Sequence, residues 1–239
     1  MTFASPPEPG RRRRRLTAIT AAALVALGIA GTALAHPLGN FSVNHWSGIR
    51  VERGAIGVRY AIDLAEIPAF QEIQAHGITP EPAHPSLAPY LARRAETLAE
   101  RLTLEVDGRR LTLEPRSREV TFPPGAAGLP TMRITIDYIA PIEESGRRLE
   151  YRDANFAGRA GWKEIVVTAG PGVAILESSA PETDRSRELS DYPTDLRDSF
   201  PLDLAARVVF AREGSPVAAL SRPLPPSPTA RDSSALALA

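Results

Sequence analysis

Residues 41–64, FSVNHWSGIRVERGAIGVRYAIDL, decide the fold. Phe41, Val43, His45, Ser47, Ile49 and Val51 fall on one side, and Asn44, Trp46 and Arg50 on the other. After a corner at Arg53-Gly54 the alternation resumes with Ile56, Val58, Tyr60, Ile62 and Leu64. A period of two, carried by β-branched and aromatic residues, predicts two strands joined as a hairpin.

The same pattern recurs downstream. Leu102, Leu104 and Val106 lead into Asp107-Gly108, a hairpin-turn dipeptide, and the chain returns through Leu111 and Leu113. A strand near Val120–Phe122 stops at Pro123-Pro124, and Met132, Ile134, Ile136 and Tyr138 alternate cleanly. Short strands are expected around 148–152, 162–169, 173–178 and 203–212, with a turn at Pro171-Gly172 between two of them. Two helices interrupt them. Ile67, Phe70 and Ile73 have the spacing of a short one. Ser86 is placed to cap a second, running to about Arg101, with Leu87, Leu91, Ala95 and Leu98 as its stripe and Pro89 in its first turn. The expected fold is mainly β: a β-sandwich-like domain with one or two short inserted helices. Residues 180–200 are polar and read as a long surface loop. Residues 213–239 are rich in Pro, Ser and Ala and read as a disordered tail or linker.

The N-terminus reads differently. Five arginines at 11–15 precede a twenty-residue apolar stretch, 16–35, that ends in Ala33-Leu34-Ala35. Basic region, apolar region and small-residue site make residues 1–35 a secretory signal peptide. Uncleaved, the stretch is long enough to anchor the chain in a membrane. Cleavage would make His36 the first residue of an exported domain, 36–212, on the periplasmic or extracellular side. There is no cysteine, so the core must hold without disulfides. Taking five arginines and Glu8 away from 28 basic and 28 acidic residues leaves a net charge near −4, which disfavours nucleic acid as a partner.

Three segments carry a resemblance: AHPLGNFSVNHWSGIRV at 35–51, VRYAIDLAEIPAFQE at 58–72 and LEYRDANFAGRAGWKEIVV at 149–167. Together they resemble the soluble extracytoplasmic N-terminal domain of nickel/cobalt transporter-like (high-affinity nickel transporter/exporter) membrane proteins. Such proteins continue into several membrane helices, whereas no second apolar span follows residue 36 here. The resemblance implies an accessory or sensor role beside a multi-pass membrane transporter component, and nickel or cobalt as the ion; copper enters through the ligand chemistry of histidine.

His36, at a free N-terminus, would offer an α-amine and an imidazole to one metal. Pro37 lacks an amide N–H, so a site that deprotonates backbone amides is excluded there. His45 is the nearest further imidazole and suits the same ions, although a half-buried core histidine would look alike. His76 and His84 flank a Gly/Pro loop and read as solvent histidines. Asp63 and Glu66 stand where the second strand ends, able to give oxygen ligands, helix-cap contacts or salt bridges; Asp63 is expected to face water. Tyr151, Arg152, Asp153, Asn155, Trp162, Lys163 and Glu164 form the densest mixed motif, either a partner-binding loop or a structured connection in which Arg152 or Arg159 pairs with Asp153. No nucleophile elbow, phosphate loop or dinucleotide fingerprint occurs, so no enzyme is expected. The reading is a non-catalytic extracytoplasmic domain associated with nickel/cobalt transport. The alternative is a metal-free interaction domain of the cell envelope that uses the 151–164 loop.

Overall fold

The computed structural model describes residues 38–143, 147–193 and 200–212. The expected leader, His36 and the 213–239 tail lie outside them. The opening hairpin forms as its alternation demands: β1 (Val43–Val51) and β2 (Ala55–Leu64) pair antiparallel, from Val43 opposite Leu64 to Val51 opposite Ile56. Next to β2 lies β6 (Met132–Pro141), and beyond it β5 (Glu114–Thr121). On the other side of β1 runs β8 (Lys163–Ala169), which is parallel to it. The first sheet is therefore mixed, in the order β5-β6-β2-β1-β8.

A second sheet, in the order β4-β3-β7-β10-β9, is antiparallel throughout. It contains β3 (Leu102–Val106), β4 (Arg109–Arg110), β7 (Arg148–Asp153), β9 (Val173–Ser178) and β10 (Ala205–Arg212). Asp107 and Gly108 both take positive φ, 50° and 78°, as a two-residue hairpin turn between β3 and β4 requires. Two helices are inserted, α1 (Glu66–His76) and α2 (Leu87–Glu100).

One apolar core draws on both sheets and both helices. Ile49, Tyr60, Ile62 and Ile134 come from the first sheet, Leu104, Tyr151, Val208 and Phe210 from the second, and Ile73 and Leu98 from α1 and α2. The alternation in β1 and β2 predicts one buried and one open face. Instead both faces are covered, because a second cluster of Trp46, Ala61, Trp162, Val166, Leu189 and Tyr192 occupies the far side. Its cover comes from the segment expected to be a solvated loop. Residues 184–192 form no strand or helix, yet Ser186, Leu189 and Tyr192 are buried. Arg187, Glu188 and Leu189 take φ of 48°, 56° and 68° in succession. Side chains carrying a Cβ disfavour that region.

Three local expectations change. Phe41 lies outside the strand and is 70% exposed, and Phe70 is 47% exposed, because α1 buries Pro68, Ala69 and Ile73 instead. Ser86 occupies the N-cap position of α2 without a side-chain cap bond. Its Oγ accepts the Thr79 N–H at 3.1 Å and meets His84 Nδ1 at 2.9 Å.

The start of β1 is closed by the chain entering β8. Ala160 O accepts the Val43 N–H at 2.9 Å, and Asn44 Oδ1 accepts the Trp162 N–H at 2.8 Å. Between them Gly161, at φ +141°, leaves no room: a Cβ would lie 2.4 Å from Val43 O. Gly158 also has positive φ, +76°, but faces open space. Urea unfolding of the two variants should separate these causes. Gly161→Ala is expected to cost ~3 kcal/mol or more, and Gly158→Ala only ~1 kcal/mol from the backbone term.

Candidate functional site

Alternation along β1 sends His45 and Ser47 to the inner face, and register places Ser47 opposite Tyr60 of β2. From the second sheet, β7 brings Tyr151 and Asp153 to meet them. Ser47 Oγ and Tyr151 OH lie 2.9 Å apart. Asp153 Oδ2 sits 2.6 Å from His45 Nδ1 and accepts the Tyr60 OH at 2.8 Å, while its Oδ1 accepts the Asn155 N–H at 2.8 Å. Asn155 in turn donates from Nδ2 to Leu98 O of α2 at 3.2 Å.

An ionised carboxylate only accepts, so in a neutral imidazole Nδ1 carries the proton and Nε2 is left with its lone pair. That Nε2 is buried and has no hydrogen-bond partner. The His45 ring is only 2% exposed; the Phe156 ring packs 5.9 Å from it and the Tyr60 ring 6.2 Å. Burial raises the Tyr60 and Tyr151 hydroxyls well above their ordinary value, and the Asp153 charge adds to it. A carboxylate that fixes an imidazole's tautomer and leaves the other nitrogen open is the usual support behind a histidine ligand or base.

The outer face of the first sheet has its own polar centre. Glu164 Oε2 accepts Trp162 Nε1–H at 2.8 Å and Ser186 Oγ–H at 2.6 Å, and its Oε1 accepts the Arg185 N–H at 2.8 Å. Asp63 Oδ2 accepts the Tyr192 OH at 2.5 Å and Asn44 Nδ2–H at 3.4 Å. Asp63 is therefore buried, at 8% exposure, and does not face water. The 184–192 strap, with Leu189 and Tyr192 over this face, turned the expected water into protein. Arg59 adds a 2.9 Å bond to Glu188 Oε2, and Arg133 donates to Glu188 O.

The candidate residues thus divide. His45, Tyr151, Asp153 and Asn155 converge on the inner site, whereas Trp162, Glu164 and Asp63 serve the outer face. Lys163, in register with His45, donates from Nζ to Arg159 O at 2.8 Å and Gly161 O at 3.4 Å. Burial lowers its ammonium from the ordinary value, with Asp153 acting in the opposite sense. Glu66 stands apart in the first turn of α1, where one oxygen accepts the Ala126 N–H at 2.8 Å and the other is buried without a partner. Arg152 is exposed, and the expected arginine pairing of Asp153 is replaced by His45, Tyr60 and Asn155. His76 lies 3.4 Å from Glu72 on the surface.

Tyr60 and Ser47 were legible only as alternating core positions, and nothing in the sequence marks Ser186 or Tyr192 as partners of Glu164 and Asp63. Among the described residues no group of three or more His, Cys, Asp or Glu could hold a metal ion. No protein-family model matches the chain, and no curated protein matches it.

Asp153→Ala would leave the Nδ1–H of His45, the Tyr60 OH and the Asn155 N–H without their acceptor. Chemical denaturation should show a loss of ~3–5 kcal/mol. A second test comes from the tyrosines. All five in the chain, Tyr60, Tyr90, Tyr138, Tyr151 and Tyr192, are buried, and burial holds their folded-state pKa values above the ordinary 10.0. Above 10.0 the unfolded chain sheds these protons and the folded one keeps them. Stability is therefore full below that value and falls as pH rises past it, by about 1.4 kcal/mol per pH unit for each tyrosine. Tyrosinate absorbance and circular dichroism should change together in one cooperative alkaline transition.

Proposed function

We propose that this chain is a non-catalytic, β-sandwich-like extracytoplasmic domain that works beside a nickel/cobalt transporter-like membrane component. One observation carries the reading. The third segment that resembles that family lies far along the chain from the first two, yet all three are adjacent in space: β1 lies between β2 and β8, and β7 meets them through Asp153. Their polar residues meet in two buried centres, His45, Tyr60, Tyr151, Asp153 and Asn155 on the inner face and Asn44, Asp63, Trp162 and Glu164 on the outer one.

On this reading residues 1–35 are removed on export, and His36 holds a nickel, cobalt or copper ion through its α-amine and imidazole. The orphaned Nε2 of His45, with Asp153 on the other nitrogen, fits one further donor. The chain turns at Gly39, whose carbonyl accepts the Ser42 N–H at 3.2 Å, and Leu38 packs against the Trp46–Trp162 cluster on the face opposite the His45 ring. The chelate at His36 is therefore the anchor, and His45 is secondary.

The second reading, a metal-free interaction domain, draws on the exposure of Arg152 and of residues 157–160 in the middle of the 151–164 motif. Calorimetric titration with nickel, cobalt and copper salts discriminates. Protein recovered after export should bind one ion. A form with a methionine left before His36 should lose that binding while keeping its melting temperature, and His45→Ala should weaken it less. Binding of the native form should also decline below about pH 7, as amine and imidazole take up protons. Equal affinity of the native and extended forms would overturn the chelate and favour the metal-free reading.

A further inference from the structure

Lys163 is the only lysine in a chain whose other basic residues, apart from four histidines, are all arginine. It is also almost fully buried, at 6% exposure. Its ammonium bonds only to two carbonyl oxygens, Arg159 O and Gly161 O, and no carboxylate among the described residues forms an ion pair with it. A buried cation without a counter-charge is costly unless something else supplies one. Asp153 raises the ammonium's pKa through its charge but forms no hydrogen bond or ion pair with it, since its oxygens take the bonds from His45, Tyr60 and Asn155.

Lys163 lines a recess of about 570 Å³, within the ~300–1,000 Å³ range of small-ligand sites. Asp153 and Asn155 line it, and so do Phe200, Leu202 and Leu204, all partly exposed, which run beside Asp153 and Lys163. Residues 157–161 complete the lining with the exposed Arg159 and two glycines at positive φ, Gly158 and Gly161. An ammonium bonded to two carbonyls keeps a third N–H. Arginine's broad, planar fork would not fit where a compact ammonium must turn back onto two carbonyls.

We propose that this recess binds a carboxylate carried on an apolar stem, with the Lys163 ammonium as its counter-ion and Phe200, Leu202 and Leu204 as the wall for the stem. The site needs no metal and is independent of the His36 chelate. Burial, which lowers the Lys163 pKa, favours pairing with an arriving anion, since the pair then neutralises itself in a desolvated place.

A single lysine makes the test direct. Full-length protein grown with lysine labelled at Cε carries one such resonance, and it reports on the binding group itself. Titration with hexanoate should shift that resonance and raise its pH midpoint, while hexanol, of similar shape but neutral, should leave the midpoint unchanged. Lys163→Gln, checked for an unchanged melting profile, should bind hexanoate at least about tenfold more weakly, as expected for loss of a charged hydrogen bond. An N-acetylated dileucine with a free carboxylate, set against its amide, tells whether a chain terminus is accepted as well as a free acid. No response to hexanoate or to the acetylated peptide acid would overturn the proposal. So would equal responses to hexanoate and hexanol, or a preference for hexylamine.

Discussion

The two sheets are tied together at the carboxylate of Asp153. It stands at the end of β7 in one sheet and is held by His45 and Tyr60 of the other, with both oxygens bonded and 3% of the residue exposed. Apolar packing between sheets is tolerant of small shifts, since dispersion contacts fade gradually. A buried carboxylate bound at 2.6–2.8 Å by three donors is not tolerant. It fixes how β7 lies over β1 and β2, and with that the turn at Asn155 and the path of the loop that enters β8. The recess beside Lys163 and the unpartnered nitrogen of His45 both follow from where that loop is forced to run.

Much of the secondary structure could be read from the sequence because alternation is a local property. Most strands carry their own pattern, the short β4 and the mostly exposed β5 excepted, and Asp107-Gly108 or Pro171-Gly172 marks where the chain must turn. Which strands lie side by side could not be read. The parallel contact of β1 with β8 joins residues more than a hundred positions apart, and nothing in either segment names the other. The site was legible as a list of residues but not as an arrangement. His45 and Asp153 stood out by chemistry, while their contact depends on the unreadable pairing of sheets. Tyr60 was hidden because a tyrosine in an alternating strand looks like core, and here it is core and hydrogen-bond donor at once.

The misreading of residues 184–192 has a definite cause. Polar composition normally means solvent, and this segment holds Asp184, Arg185, Arg187, Glu188 and Asp191. Arg187 and Asp191 do stay exposed, but the others turn to partners: Arg185 meets Glu164 and Asp203, Glu188 meets Arg59, and Asp184 accepts the Ser186 and Glu188 N–H groups. Burial pushes the Asp184 and Asp203 carboxyls upward, against the hydrogen bonds and charges of their partners. Charge pairing across a gap in sequence defeats any rule that reads hydropathy one residue at a time.

The run of positive φ at Arg187, Glu188 and Leu189 has a consequence for how the outer face of the first sheet should be regarded. A backbone held in that region by three residues with Cβ atoms would leave it if released. The conformation is therefore imposed by the anchors at Glu164, Asp63, Arg59 and Arg133, not chosen by the segment. In thermodynamic terms the strap is a ligand that arrives covalently tethered, bound weakly for its contact area but at the high effective concentration that a short tether guarantees. Trp46, Trp162 and Val166 then form a receptor surface that is occupied from the moment the chain folds.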